Sequence, residues 1–450
     1  LSGNGFTGPI PTSFGEMLPL STLDLHDNKL SGEIPSEIGN LITLTYIDIS
    51  SNRLTGTIPS SIGALKVLNL LYLNDNRLTG SVPSTIEGLI SLQFCRLSDN
   101  DLTGPLPSSI GNLPKIQRLY IDSNKLTGRI PSSIGNLINL TDLVLSNNRF
   151  VGGIPSSFAK LANLQDLEIA GNQLTDTIPS QLAKLQNLQI LDLSNNPLKL
   201  ITIPVLLSKL PILFRLFLGN TGLKGELPTW LASTSISTLD LSNNKLTGEL
   251  PTWLSNMTNL ALLNLSSNGF QSTIPKQWLK MSGLNDLDLH NNQLSGDINV
   301  VFSKQGSYNS IDVSGNRFTG PISDDFGTQP AMAPITSLIL SRNNLGGDIP
   351  KSIGNLTSLV VLKMEYDRLS GTIPVEIADD SQLTTILLSG NQLTGSIPAQ
   401  VLGLANLETF NVSGNRLTGM IPVHKAKLPV SGFLGNPGLC GSPLPPCKKN

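Results

Sequence analysis

Residues 119–142 read LYIDSNKLTGRIPSSIGNLINLTD, a unit of 24 residues that recurs along most of the chain. Its opening Leu-x-Ile-x-x-Asn-x-Leu spaces apolar residues two apart, which is typical of a β-strand. Asn124 then ends the strand, Gly128 and Pro131 turn the chain, and Ile134 returns an apolar side chain to the same interior. One copy cannot bury such a face alone, so the sequence predicts a stack of copies, that is, a solenoid.

One asparagine in each copy ends the strand and marks the repeat. Of 18 such positions, 16 are asparagine, and Thr221 and Asp367 occupy the other two. A buried asparagine amide can bond backbone groups of its own turn and of the neighbouring turn, so we expect these side chains to form a ladder. After Asn4 the ladder asparagines are Asn28, Asn52, Asn76, Asn100, Asn124, Asn148, Asn172, Asn196, Asn244, Asn268, Asn292, Asn316, Asn343, Asn391 and Asn415.

The full pattern, L-x-x-L-x-L-x-x-N-x-L-T/S-G-x-I-P-x-x-I-G-x-L, resembles the plant-specific leucine-rich repeat and covers nearly the whole chain. The resemblance implies an α/β solenoid. This would be a right-handed superhelix with a parallel β-sheet on its concave face and 3-10 or short helical turns on its convex face. Residues 1–421 would form the repeat array, without an N-terminal cap, and residues 422–450 a C-terminal cap. Receptor kinases, receptor-like proteins and secreted inhibitors share this repeat, so it predicts the fold and not the ligand.

The composition argues against two classes of function. The formal net charge is -2 and only 14% of residues are charged, whereas nucleic-acid-binding proteins need a concentrated basic surface. No apolar run approaches the roughly 18 residues of a membrane span, and no signal peptide is present. The chain begins at Leu1, within a strand pattern and without Met, so we expect a processed or trimmed chain.

The three cysteines divide into one buried position and one pair. Cys95 occupies a leucine position of the repeat, which predicts a buried free thiol. Cys440 and Cys447 follow the last repeat, where a short disulfide loop is favoured over metal binding. The resemblance agrees, because plant extracellular repeat proteins commonly end in a cap of this Gly-Leu-Cys-Gly-x-Pro-Leu type. A disulfide indicates an oxidising compartment.

Asn-x-Ser/Thr sequons also favour export of the chain. Asn139, Asn256 and Asn355 are expected on exposed surface outside the concave face, and are the sequons most favoured for glycosylation. Asn264 and Asn411 lie within strands of the concave face, where a glycan would block a ligand.

The concave face carries the candidate binding residues. The residue between the two strand leucines points outward, and in successive repeats it is Asp24, Asp48, Tyr72, Arg96, Tyr120, Val144, Glu168 and Asp192. Neighbouring strands depart together from the common Asp-x-Ser pattern, which predicts a patch roughly 15 Å across. The alternative is that these departures are neutral substitutions at surface positions that tolerate many residue types. The predicted ligand-binding residues are Tyr46, Tyr72, Asn74, Phe94, Arg96, Arg118, Tyr120, Asp122, Glu168, Arg215 and Phe217.

A basic edge follows the ladder, because Lys or Arg often comes directly after the ladder asparagine, as at Lys29, Arg53 and Lys125. Such an edge could hold an acidic polymer such as pectin by charge. Acidic residues of the outward column, among them Asp48, Glu168 and Asp192, face this edge and cancel much of its field. The common repeat consensus is therefore the favoured explanation.

Residues 297–337 are the least regular part of the array and contain three extra residues. Many plant steroid- and peptide-sensing receptors interrupt the array with a long island, which three residues cannot form. No strand carries Arg-x-Arg, the pair with which several peptide-hormone receptors hold a ligand's C-terminal carboxylate. The sequence therefore predicts neither of these binding modes.

No enzymatic chemistry is expected. The chain has only three histidines, and its glycines follow the repeat turns rather than a phosphate-binding motif. Single carboxylates spaced along a flat sheet lack a metal cage. We therefore expect no enzyme, no cofactor and no metal.

Three functional hypotheses remain. The first is a secreted, wall-associated recognition protein that binds a protein or wall ligand in the apoplast. It would be similar to polygalacturonase inhibitors, although about ten repeats are usual for those inhibitors and 18 put that activity in doubt. The second is the ectodomain of a plasma-membrane receptor kinase or receptor-like protein that senses a peptide or elicitor, with a co-receptor as partner. The third is ice binding by a regular surface, which the mixed charges disfavour.

Overall fold

The computed structural model describes residues 1–379, 382–424 and 426–447. The chain forms two compact units, Leu1–Leu223 and Lys224–Asn450. Each unit is a stack of repeats in which a short strand is followed by a 3-10 turn. The predicted boundary between array and cap at residue 421 stays a prediction.

The first unit contains a long parallel sheet built from one strand per repeat. The middle residue of each strand is buried and its two neighbours face outward, as in Arg118–Tyr120, where Leu119 is fully buried. Successive strands pair in register, so Leu119, Leu143 and Leu167 lie side by side in the core. The strands are Thr22–Asp24, Tyr46–Asp48, Leu70–Tyr72, Phe94–Arg96, Arg118–Tyr120, Asp142–Val144, Asp166–Glu168, Ile190–Asp192 and Arg215–Phe217.

Shorter parallel sheets follow the ladder residue, and the sequence pattern did not indicate them. They form where the Leu-Thr/Ser-Gly segment of one repeat pairs with the same segment of the next. Gly128 lies inside one of these strands with a φ of 78°, a conformation that favours glycine, rather than in the turn expected. The strands are Thr7–Gly8, Lys29–Glu33, Arg53–Thr55, Thr103–Pro105, Lys125–Arg129, Arg149–Gly152 and Gln173–Leu174.

The opposite side of the first unit consists of 3-10 turns that begin directly after the repeat proline. Proline fixes φ near -65°, and Pro107 and Pro131 have the extended backbone from which the turns start. The turns are Thr12–Glu16, Ser36–Asn40, Ser60–Ala64, Ser84–Gly88, Ser108–Asn112, Ser132–Asn136, Ser156–Lys160, Ser180–Lys184 and Val205–Lys209.

Glycine in these turns allows the repeats to approach one another closely. A Cβ atom added at Gly111 would lie 2.3 Å from the carbonyl oxygen of Ser133 in the next repeat. The same approach occurs at Gly39, where the added atom would lie 2.5 Å from the oxygen of Ser61. The glycine of the consensus Ile-Gly pair is therefore needed for the repeats to stack on this side of the solenoid.

The asparagine ladder satisfies backbone groups on both sides of each turn. The Asn124 amide nitrogen donates to the carbonyl oxygens of Leu97, Ile121 and Asp122 at 3.0 to 3.3 Å. Its Oδ1 accepts a hydrogen bond from the backbone N–H of Leu102 at 3.0 Å. One side chain thus links its own turn to the preceding repeat, which explains why the position is almost always asparagine.

The second unit repeats this architecture with more irregularity. Its long sheet contains Thr238–Asp240, Leu262–Asn264, Asp286–Asp288, Ser310–Asp312, Ser337–Ile339, Val361–Lys363, Thr385–Leu387 and Thr409–Asn411. Its other strands are Lys224–Gly225, Lys245–Glu249, Gly269–Thr273, Gln293–Asp297, Arg317–Thr319, Thr418–Met420 and Gly438–Cys440. The 3-10 turns are Thr229–Ser233, Thr252–Asn256, Lys276–Lys280, Phe326–Thr328, Pro330–Met332, Lys351–Asn355, Val375–Asp379 and Val430–Gly432. Short α-helices occupy Asn299–Phe302 and Ala399–Leu402.

The ladder continues past Asn415, where the sequence pattern had placed its end. Asn436 donates to the carbonyl oxygens of Val412 and Phe433, and its Oδ1 accepts from the N–H of Leu417. The preceding repeat is therefore closed by the same hydrogen bonds as the others. A 21-residue step from Asn415, shorter than the repeat, concealed Asn436 in the sequence.

The C-terminal segment carries the disulfide between Cys440 and Cys447. Its strand Gly438–Cys440 pairs in parallel with Thr418–Met420. Cys95 is a buried free cysteine, and burial raises the pKa of its thiol to about 12. The fold is the predicted repeat solenoid, with parallel strands on one side and short helical turns on the other.

Candidate functional site

The outward side chains of the long sheet form the candidate site, because register pairing places equivalent residues of successive repeats side by side. In the first unit Tyr72, Arg96 and Tyr120 pair on three neighbouring strands and form one column. Phe94 and Arg118 are paired in the adjacent column. We call Tyr46, Tyr72, Phe94, Arg96, Arg118 and Tyr120 the aromatic–arginine patch.

Contacts between side chains fix the positions of some residues of this patch. The Arg118 guanidinium lies over the Phe94 ring, 5.6 Å from its centroid, and its Nε is 3.5 Å from Oδ2 of Asp142. The Tyr120 hydroxyl donates to Oδ1 of the same carboxylate at 3.3 Å. Asp142 therefore joins the two columns, a role that the sequence pattern did not indicate.

Two tyrosines of the patch, Tyr46 and Tyr120, are held as neutral hydrogen-bond donors. The Tyr46 hydroxyl lies 3.4 Å from Oδ2 of Asp48. Burial, and after it the nearby Asp48 and Asp24 carboxylates, raises the pKa of Tyr46 to about 12. Burial and Asp142 likewise raise the pKa of Tyr120 to about 12. Both phenols combine an apolar ring with a polar tip at the surface.

Two of the predicted binding residues have structural partners at the edge of the patch. Asn74 is buried and its amide donates to Asp75 at 2.6 Å. Asp122 accepts a hydrogen bond from the Ser98 hydroxyl on the neighbouring repeat. Arg96, in contrast, is exposed, and no carboxylate lies within salt-bridge distance of it in the described part of the chain. Arg96 is thus the cation of the patch that remains available to a ligand.

Glu168 belongs to a separate carboxylate group further along the same sheet. Asp166 and Glu168 are the first and last residues of one strand, and Asp142 and Asp192 lie on the strands to either side. Burial, followed by repulsion from Glu168, Asp142 and Asp192, raises the pKa of Asp166 to about 7, and Arg215 opposes this shift. Burial and Asp192 also raise the pKa of Glu168. Asp166 lies in the same outward column as Arg118 and was not among the predicted binding residues, because its position in the repeat pattern reveals neither its burial nor its charged neighbours.

Arg215 and Phe217 lie on the last strand of the first unit, several strands away from the patch. The Arg215 guanidinium stacks on Phe214 with its Cζ 5.5 Å from the ring centroid. The structure therefore brings Tyr46, Tyr72, Phe94, Arg96, Arg118 and Tyr120 together. It places Glu168, Arg215 and Phe217 outside that group.

A smaller charged group lies in the second unit. Arg342 stacks on the exposed ring of Tyr366, 5.0 Å from its centroid. Glu365 accepts a hydrogen bond from the Ser389 hydroxyl at 2.6 Å. Glu365 and Tyr366 directly precede Asp367, which takes the place of a ladder asparagine.

Among the described residues, three metal-donor side chains meet in one place in each unit, although no metal site was expected. His26 Nδ1 lies 2.6 Å from Asp24 Oδ1 and 3.7 Å from Asp48 Oδ2. In the second unit His290 Nδ1 lies 2.7 Å from Asp288 Oδ1 and 3.9 Å from Asp312 Oδ2. Each histidine lies close to an aspartate of the neighbouring strand, a proximity that the spacing of single carboxylates along the sequence does not show.

The sequons differ in exposure as their positions suggested. Asn139, Asn256 and Asn355 are exposed. Asn264 and Asn411 are half-buried on the sheet face, where their Oδ1 atoms accept hydrogen bonds from Ser266 and Ser413. No helix within the described ranges has the length and apolar character needed to cross a membrane.

The protein-family models that match this chain are all models of leucine-rich repeats. A model described as "Leucine-rich repeat region" matches residues 84–311. A model described as "Leucine rich repeat" matches residues 42–102. A further model described as "Leucine Rich Repeat" matches residues 19–41, 334–356, 382–404 and 406–428. A search of curated proteins finds no match.

Solved structures with the same architecture include plant receptors with bound peptides. The plant peptide hormone receptor RGFR1 in complex with RGF2 is 31% identical, with a TM-score of 0.75, over 98% of this chain and 78% of that one. The Arabidopsis receptor kinase HAESA, bound to the peptide hormone IDA and the co-receptor SERK1, is 34% identical, with a TM-score of 0.69, over 98% and 78%. The repeat protein LIC12759 of Leptospira interrogans is 29% identical, with a TM-score of 0.63, over 91% and 95%.

Proposed function

Because the chain belongs to the leucine-rich repeat family, we propose that it is the extracellular ligand-binding part of a plant receptor-like protein and binds a peptide. Similar solved structures are receptors in complex with peptide hormones. In the proposed arrangement this part lies outside the cell, and a co-receptor is a second partner, as in the complex of HAESA with IDA and SERK1. The role is binding rather than catalysis.

The aromatic–arginine patch is the observation that carries this proposal. Aromatic residues and arginine are enriched among the residues that dominate the energy of protein interfaces. Tyrosine buries a large ring at a low cost in conformational entropy. Here they stand on a sheet whose strands are fixed by paired backbones and by the asparagine ladder. A ligand would therefore meet a surface that needs little reorganisation, which lowers the cost of binding.

The dimensions of the patch suit a short extended peptide segment. From Tyr46 to Tyr120 the patch crosses four neighbouring strands, which at about 4.8 Å per step spans roughly 14 Å. An extended peptide advances about 3.3 Å per residue, so some four residues would lie across the patch. Tyr72 and Tyr120 would contact apolar side chains of the peptide, and Arg96 would pair with an acidic one.

Two other ligands compete with this proposal. Inhibition of a wall-degrading hydrolase would use a protein ligand, and a wall-associated role would use pectin bound by charge. The carboxylates of Asp142, Glu168 and Asp192 oppose binding of an acidic polymer next to the patch. The proposal therefore favours a peptide over pectin.

The test is affinity capture from plant apoplastic fluid, with mass spectrometry that separates short peptides from hydrolases. The variant carries Tyr72→Ala, Arg96→Ala and Tyr120→Ala. The control carries Ser310→Ala and Ser337→Ala, two paired outward positions of the second unit. Circular dichroism and thermal unfolding establish that each protein is folded.

We expect a peptide that is retained by the wild type and the control and lost by the patch variant. Purified homogalacturonan serves as the pectin probe in a parallel binding experiment. Capture of a hydrolase, or binding of homogalacturonan that depends on the patch, would replace the peptide proposal. A ligand held equally by all three proteins would remove the patch from the binding site.

A further inference from the structure

The same three-residue arrangement occurs once in each unit. The sequence Leu-Asp-Leu-His appears at residues 23–26 and at 287–290. In the first unit Asp24 and Asp48 are register partners on neighbouring strands, and His26 follows Asp24 by two residues. In the second unit Asp288, Asp312 and His290 have the same relation. Both arrangements lie on the outward face of the long sheet.

The distances allow each set to hold one metal ion. One donor atom from each of the three residues lies within 4.8 Å of the other two in both sets. An ion with bonds of about 2.0 to 2.2 Å keeps its donors roughly 3 to 4 Å apart. The longer histidine–aspartate distances, 3.7 and 3.9 Å, already fall in this range. The shorter ones are hydrogen bonds, which must open by about half an ångström.

The second carboxylate of each set is oriented by its own turn. Oδ1 of Asp48 accepts hydrogen bonds from the backbone N–H and the hydroxyl of Ser50, at 3.0 and 2.6 Å. Oδ1 of Asp312 accepts the same pair from Ser314, at 2.9 and 2.6 Å. In both cases Oδ2 is the atom turned towards the histidine. Such outer hydrogen bonds are typical of the groups that fix metal ligands.

We propose that Asp24, His26 and Asp48, and separately Asp288, His290 and Asp312, each bind a first-row transition-metal ion such as Zn²⁺. One imidazole with two carboxylates suits Zn²⁺ or Cu²⁺ better than Ca²⁺, which prefers a cage of six to eight oxygens. Three protein donors leave coordination positions for water or for a donor atom of a bound ligand. Binding through Nδ1 moves the proton of a neutral imidazole to Nε2, so the histidine remains uncharged.

The chain provides matched variants for the test. Serine occupies the position of the histidine at Ser50 and Ser314, where its hydroxyl bonds the aspartate of its own turn. His26→Ser and His290→Ser should therefore preserve the turn and remove only the imidazole. His424, outside both sets, remains as an internal control.

Zn²⁺ binding is measured by equilibrium dialysis and isothermal titration calorimetry on the metal-free chain without a histidine tag, with Ca²⁺ as the comparison ion. We expect about two Zn²⁺ per chain in the wild type, one in each single variant and none in the double variant. Ca²⁺ should bind at least tenfold more weakly. Chains with ¹⁵N-labelled histidine should show Nδ1 as the ligated nitrogen of His26 and His290.

Three results would overturn the proposal. They are the absence of Zn²⁺ binding at millimolar concentration, a stoichiometry unchanged by the serine variants, and ligation through Nε2 with the Nδ1–H still bonded to the aspartate. Each site is judged by its own variant. Circular dichroism of both variants separates loss of the donor from loss of the fold.

Discussion

Asp367→Asn should stabilise the second unit, and the gain should increase with pH. Asp367 is fully buried at a ladder position, and its Oδ1 accepts a hydrogen bond from the N–H of Asn343 at 2.8 Å. Its buried Oδ2 has no hydrogen-bond partner in the described part of the chain. At Asn391, the next ladder residue, the amide nitrogen occupies this place and donates to the carbonyl oxygens of Met364 and Leu388. A carboxylate cannot donate there, whereas a protonated carboxyl or an amide can.

The magnitude follows from the pKa of the buried carboxyl. Burial, with a smaller contribution from the nearby Glu365 carboxylate, raises the pKa of Asp367 from 3.8 to about 7. The protonated carboxyl is the form that the fold favours, so the stabilisation is complete below pH ~4 and is lost as pH rises through ~7. A shift of about three units corresponds to about 4 kcal/mol in total, of which about 3 kcal/mol is lost between pH 5 and pH 8.

Tryptophan fluorescence during urea unfolding is a suitable assay, because Trp230, Trp253 and Trp278 all lie in the second unit. The free energy of unfolding of Asp367→Asn should exceed that of wild type by about 1 to 2 kcal/mol at pH 5 and by about 4 kcal/mol at pH 8. Asn391→Asp is the mirror-image control, since it places a second carboxylate in the ladder. It should lower stability, and lower it more at pH 8.

Two results would refute this reasoning. If Asp367→Asn gains the same stability at pH 5 and at pH 8, then the carboxyl does not titrate with a raised pKa in the folded chain. If the variant is less stable than wild type at pH 8, then a carboxylate is accommodated at this position by partners that the ladder geometry does not provide.

Three further predictions test how the repeats hold together. Asn124→Ala leaves three carbonyl groups and one N–H without their ladder partner, so thermal unfolding should show a loss of roughly 3 kcal/mol. A result below 1 kcal/mol would mean that water replaces the amide. Gly111→Ala forces a Cβ against Ser133 in the next repeat and should cost about 1 to 3 kcal/mol in urea unfolding. Gly5→Ala, which has nothing within 4 Å, should be neutral, and equal effects would contradict the stacking argument. Replacing Cys440 and Cys447 by serine removes the disulfide that joins two positions seven residues apart. The free energy of unfolding of the C-terminal segment should fall by about 2 kcal/mol, which proteolysis should detect as faster cleavage. Unchanged cleavage would show that strand pairing alone holds it.

Much of the fold could be predicted because each consensus residue acts within its own repeat or against the neighbouring one. The strand leucines, the ladder asparagine, the turn proline and the stacking glycine each have one task within the unit or against its neighbour. Leu119, Asn124 and Pro131 therefore indicated their structural roles from spacing alone. The second row of parallel strands was missed because its Leu-Thr-Gly segment has no strand periodicity. Its pairing partner is the corresponding segment of the neighbouring repeat, which the pattern of one repeat does not contain.

The candidate site could be predicted only in outline. Periodicity shows which side chains face outward, and register then places Tyr72, Arg96 and Tyr120 in one column. Neither periodicity nor register shows that Arg118 would turn towards Asp142 or that Asp166 would lose much of its contact with water. Those outcomes depend on rotamers and on charges from neighbouring repeats, which a single-repeat pattern does not contain.

The outward residues are also where the sequence is least constrained by the fold, and this explains why ligand identity stays a prediction. Replacement of Leu119 or Asn124 disturbs the core or the ladder, whereas Tyr120 between them changes only the surface that a ligand meets. Proteins about one third identical can therefore share the repeat architecture and bind different partners. The residues that vary most freely along the sheet, such as Arg96 and His290, are for that reason the ones to test for binding.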